Sequence, residues 1–223
     1  MPYTGSEPLG VPCLYADADL LVLHKPAGLL CVPGRGPDKQ DCLSARVQTC
    51  WPEALVVHRL DQATSGLVLM ARNLATQRAL STAFAERRIH KRYQAVVQGC
   101  WTPAEGDANT WQLIDLPIAA DWERRPLRVI EALHGKPSQT RWRVLSTDTQ
   151  AQTTRVELEP LTGRTHQLRV HLAASGHAIL GDALYADAAT LARAPRLLLH
   201  ATALQFAHPS TGQALHYTCP ADF

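Results

Sequence analysis

A guanidinium and a carboxylate stand two residues apart in the run HRLDQATSG, residues 58–66, and here the sequence has the means to do chemistry. An ionised carboxylate can remove a proton or attack an electrophilic carbon, and Arg59 beside Asp61 would help keep it ionised. If Val56–Leu60 is a short strand, as its β-branched and apolar content predicts, Arg59 and Asp61 project together while Leu60 points into the core. Thr64, Ser65 and Gly66 then read as loop and turn formers. Taken alone, an aspartate after a strand and next to an arginine is usually a cap or a surface ion pair.

The elements that must position this run are legible as hydrophobic patterns. Residues 1–13, with Pro2, Gly5, Pro8, Gly10 and Pro12, read as an irregular surface leader. Leu20–His24 is a compact apolar run and so a buried strand. Asp41 is positioned to cap a helix from Leu43 to about Cys50. Leu67–Ala71 reads as a strand, followed by a helix that Asn73 caps and that carries Leu74, Ala79, Leu80, Ala83 and Phe84 at helical spacing. Lys91–Val97 is a further strand. The section around Trp101, Pro103, Gly106 and Trp111, continuing into IDLPIAADWERRP, reads as an arm or crossing loop. Arg141–Leu145 and Thr154–Leu158 alternate like an antiparallel pair, THQLRVHLAASG is a helix stopped by Gly176, and LLLHATALQFAHP and ALHYTCP return to strand. Strands in runs with three modest helices between them predict an α+β fold around one mainly antiparallel sheet.

Other chemistries find no support. The six cysteines include no CxxC pair, which argues against a zinc knuckle or a thioredoxin-type site and fits a reduced cytoplasm. Ten histidines include no HExxH, and His166 and His171 are misaligned for a shared metal on one helix. Gly34 and Gly36 lack the third glycine of a dinucleotide loop, the Gly135–Lys136 pair lacks the first glycine of a phosphate loop, and no GxSxG elbow occurs. No apolar run approaches a membrane span. The net charge of +2 does not by itself announce a nucleic-acid binder. The positive charge is nonetheless clustered, in Arg87, Arg88, His90, Lys91 and Arg92 and again in Arg124, Arg125 and Arg128.

The runs HRLDQATSG, IHKRYQAVV, DLPIAADWERRP, GKPSQT, LTGRTHQLRVHLAASGHAILGD and RLLLHA, in this order and spacing, resemble the RluA family of RNA pseudouridine synthases. The resemblance extends from Cys13 to Phe223. It implies a single catalytic domain over residues 14–223, with a mixed, mainly antiparallel central sheet flanked by helices and loops, and with RNA bound across a basic cleft. The S4 RNA-binding domain that many members carry is expected to be absent. Ala120 departs from the cysteine that often precedes Asp-Trp in similar sequences.

The resemblance also implies roles. Asp61 matches the essential aspartate, Arg59 the arginine that enters the RNA helix where the target base leaves, and Tyr93 the tyrosine packed against the flipped uracil. Arg164 matches the basic residue that pairs with the aspartate, and Leu168 the apolar pocket residue. Arg87, Arg88, Lys91, Arg92, Arg124 and Arg125 would then meet RNA phosphates. Isomerising uridine consumes and oxidises nothing, so no cofactor or metal is expected. The implied partners are tRNA and 23S rRNA stem-loops, handled by a cytoplasmic monomer with no membrane association. A non-catalytic RNA-folding protein and the same chemistry at another rRNA site are the alternatives; a glycosidase lacks its second carboxylate.

Overall fold

The computed structural model describes residues 8–102, 107 and 109–223. They form two compact units, one comprising the described residues up to Lys91 together with Ala201–Asp222, the other Arg92–His200 with Phe223.

In the first unit the strands β1 (Cys13–Ala16), β2 (Leu20–Lys25), β4 (Ser65–Ala71) and β11 (Leu199–Ala207, of which Ala201 onward belongs here) follow one another across a sheet. The strand β3 (Leu55–Val56) pairs with the end of β4, and β12 (Ala214–Thr218) pairs with β11. Every residue of β4 is buried, which is why SGLVLMA reads as a continuous apolar run rather than an alternating one. Leu67 and Leu69 join Leu20, Val22, Leu204 and Phe206 in a core completed by Leu80 and Ala83. Those last two come from the helix α2 (Leu74–Ala85), whose start is fixed by Asn73 Oδ1 accepting the Thr76 N–H at 2.8 Å.

Several expectations need correction here. The expected leader ends early, since Val11 is wholly buried and Cys13 opens β1; residues 1–7 lie outside the described residues. The helix α1 (Leu43–Gln48) has Cys42, not Asp41, at its N-cap, because Asp41 is drawn into a bidentate pair with Arg46 at 2.6 and 2.7 Å. Leu74 sits at the α2 entrance with 60% of its surface exposed, outside the buried stripe. Ser65 and Gly66 belong to β4 rather than to a turn.

The second unit is built on strands β5 (His90–Gln98, of which Arg92 onward belongs here), β10 (Thr153–Pro160), β9 (Gln139–Asp148) and β6 (Gln112–Asp115), in that order and antiparallel. The expected arm is therefore partly regular. Besides β6 it contains β7 (Ile118–Ala120), which pairs with β8 (Arg128–Ile130) as a hairpin; residues 103–106 and 108 lie outside the described residues. The helix α3 (Gln167–Ala174) is buried from Gln167 through Leu172, so its polar residues need partners. Gln167 bonds Thr162, Thr140 and the Gln139 carbonyl, Arg169 pairs with Asp182, and His171 bridges Thr140 and the Leu116 carbonyl. His171 is thus a core histidine. A short fourth helix, α4 (Ala188–Leu191), was not expected from the sequence.

Candidate active site

Asp61 lies in a loop held on both sides. The predicted strand Val56–Leu60 stops at Val56, and side chains explain why. His58 Nε2 accepts the Leu69 N–H of β4 at 2.9 Å, and Cys31 Sγ accepts the Leu60 N–H at 3.2 Å. Backbone donors that would have served β3 and β4 pairing are thus taken by a ring and a thiol. Leu60, 7% exposed, points into the core as expected, while Arg59 is exposed and Asp61 half-buried. On the other side of Asp61 its own carbonyl accepts the Thr64 N–H at 3.1 Å, and Gln62 exchanges hydrogen bonds with Gly28 at 2.9 and 3.0 Å.

Beneath this loop is a residue that the sequence reading missed. Lys25, the last residue of β2, is wholly buried and its Nζ donates to the carbonyls of Pro26, Leu29 and Gln62 at 2.9, 2.7 and 3.0 Å. Burial pulls its pKa down to about 8, against the opposing pull of the Cys31 thiol and the Asp61 carboxylate. Its ammonium both staples the Asp61 loop from below and sets a positive charge in the carboxylate's field. The available signal was a lysine closing the apolar run of β2 just before Pro26.

The ring of His58 packs against Phe84, centroids 4.4 Å apart. Burial, seconded by the Lys91 charge, lowers its pKa to about 3, which suits a nitrogen that must accept the Leu69 N–H. A folded-state pKa below the unfolded value near 6.5 means that the unfolded chain binds the extra proton. Stability from this group is therefore complete above pH 6.5 and lost as the pH falls toward 3, at about 1.4 kcal/mol per pH unit. Denaturant titrations at pH 7 and pH 5 should show the wild-type chain losing about 2 kcal/mol more than His58→Gln, which keeps an acceptor but does not titrate. Equal losses would remove His58 as the titrating group.

The second unit carries the other expected site residues. Tyr93, on β5, shares its strand face with Ala95 and Val97, and Leu158 and Trp142 lie beside it across β10 and β9. Arg92 is turned to the opposite face. There it lies at ion-pair distance from Glu159, 2.9 Å but without hydrogen-bond geometry, and over the Trp111 ring at 4.5 Å, where Arg141 and Arg143 also gather. Arg164 stands exposed at the α3 entrance, its backbone N–H held by Gln167 Oε1 at 3.0 Å and its guanidinium donating to the Pro137 carbonyl at 3.3 Å. Leu168 is 7% exposed within α3.

The remaining basic residues divide by how much of their charge is spoken for. Arg87 is exposed with a left-handed backbone (φ 59°), Arg88 pairs with Glu86, and Lys91 in the first unit lies over Phe84. In the β7–β8 hairpin Arg124 pairs with Asp121 at 2.7 Å, and Arg125 covers the 72% exposed Trp122 at 4.2 Å.

Residues 19–174 match the family model described as RNA pseudouridylate synthase. The chain is 46% identical over 210 residues to the dual-specificity RNA pseudouridine synthase RluA of Escherichia coli K12, covering 94% of this chain and 93% of that protein. It is equally identical to the protein of the same name from Yersinia pestis, over 94% and 98%. The solved structure of human RNA Pseudouridylate Synthase Domain Containing 1 superposes with a TM-score of 0.78 at 30% identity, over 99% of this chain and 87% of that one. No helix among the described residues is long and apolar enough to cross a membrane. The chain belongs to the RNA pseudouridylate synthase family, with that family's mixed sheet and few helices, and is an isomerase that converts uridine to pseudouridine in RNA.

Proposed function

We propose that the substrates are a uridine at the start of a tRNA anticodon loop and a uridine in a 23S rRNA hairpin, modified by a monomer in the cytoplasm. The observation that carries this is the likeness, over 94% of the chain, to proteins whose name denotes dual specificity. The reaction breaks the N1–C1′ bond, turns the uracil and joins C5 to C1′; C5 gives up its hydrogen and N1 gains one. Asp61 is the catalytic carboxylate, acting on the sugar as nucleophile or as base. Arg164 orients it, Arg59 fills the space the base vacates, Tyr93 stacks on the extruded uracil and Leu168 closes the apolar side. Arg87, Arg88, Lys91, Arg124 and Arg125 take phosphates. Arg92, faced away from Tyr93 and set against Glu159, contributes less than its neighbours.

Mapping pseudouridines in a strain lacking this protein, before and after the chain is restored, tests the substrate assignment. One tRNA anticodon-loop site and one 23S rRNA hairpin site should disappear and return. Loss confined to a different rRNA site would assign the same chemistry to another substrate.

A further inference from the structure

Tyr185 is not used by the chemistry described so far, yet its hydroxyl joins two segments of the second unit that are. It accepts the Arg128 N–H at 3.0 Å, at the start of β8 where the connecting loop of the β7–β8 hairpin ends, and it lies 2.7 Å from Nδ1 of His166. Both bonds are satisfied when the hydroxyl gives its own hydrogen to Nδ1, which leaves the imidazole proton on Nε2. His166 is the N-cap of α3, two residues beyond Arg164, and it holds a left-handed backbone (φ 57°, ψ 17°) without being glycine. Such a conformation persists only where the surroundings over-determine it.

Tyr185 is itself fixed from several directions. Its backbone N–H donates to Asp182 Oδ1 at 3.2 Å, and its ring lies 5.1 Å from the guanidinium carbon of Arg169. Arg169 and Asp182 form a buried pair at 2.6 and 2.8 Å, and the same carboxylate accepts the Leu184 N–H. The hydroxyl is therefore presented by a rigid frame. On one side it holds the turn that carries Arg164, and on the other the hairpin whose tip presents Trp122, Arg124 and Arg125.

We propose that Tyr185 is a positioning residue for isomerisation: its hydroxyl, through His166, holds the Arg164 turn in register and ties it to the RNA-facing hairpin. The inference rests on the role assigned to Arg164. Displacing an orienting group by a fraction of an ångström acts on the rate of the bound complex more than on its formation.

Tritium release from an RNA stem-loop labelled at uracil C5 gives kcat and KM for the full chain, alongside a thermal melt. Tyr185→Phe removes only the hydroxyl, and kcat should fall by between ~10-fold and ~100-fold with KM within about twofold and the melting midpoint little changed. His166→Gly removes the ring while relieving the left-handed backbone, and should reproduce the same loss without unfolding. The double variant should be no slower than the worse single one. Wild-type turnover in Tyr185→Phe, whatever His166→Gly does, or a loss confined to KM, would overturn the inference. Arg164→Met separates the two levels: if it is inactive while Tyr185→Phe is normal, only this inference fails, whereas full activity in Arg164→Met removes the assignment of Arg164 and the inference with it.

Discussion

Asp61→Asn is expected to lower C5 tritium release by at least ~10³-fold while leaving RNA affinity within about threefold of wild type. Asparagine is close to isosteric with aspartate, and backbone groups supply several of the bonds that hold the loop. The Leu60 N–H goes to Cys31, the Gln62 carbonyl takes Lys25 and the Gly28 N–H, and the Asp61 carbonyl takes the Thr64 N–H. These bonds do not depend on the carboxylate, so the substitution leaves them in place while it removes the negative charge. Because that carboxylate supports the buried Lys25 ammonium, the variant should also titrate Lys25 at a lower pH than the wild-type value near 8. Residual turnover within tenfold of wild type would remove Asp61 from the chemistry, whatever happens to binding.

Gly66→Ala should cost more than ~4 kcal/mol and in practice yield no folded protein at 37 °C. A Cβ at residue 66 would sit 2.4 Å from the Ala201 carbonyl oxygen, 2.5 Å from its nitrogen and 2.8 Å from its Cα, with the backbone at φ +112°. Neither β4 nor β11 can retreat, since both carry the first unit's core. Gly212→Ala supplies the control: φ is +71° there, but nothing lies within 4 Å, so it should cost only ~1–2 kcal/mol of backbone strain. Thermal melts of the two variants separate strain from collision, and comparable midpoints would mean that β4 and β11 yield more readily than their packing implies.

The contrast between these two glycines shows where the sequence stopped informing. Local rules identified β2, the β9–β10 pair, the Asn73 cap and the Gly176 stop, because alternation, capping and chain reversal depend on residues a few positions apart. The order of HRLDQATSG and GRTHQLRVH was likewise sufficient to name the chemistry. Local propensity failed at Val57–Leu60, where β-branched and apolar residues promised strand and His58 and Cys31 took the backbone donors instead. It also failed at Asp41, a good cap by type that Arg46 claimed first, and in the expected arm, where β6 exists because β9 offers it an edge. Lys25 under the Asp61 loop, Gly66 against Ala201, and the Tyr185 hydroxyl 57 residues from the Arg128 amide whose hydrogen bond it accepts were decided by tertiary structure alone. Each depends on bringing distant chain segments within hydrogen-bond or van der Waals range, and no spacing within the sequence encodes that distance.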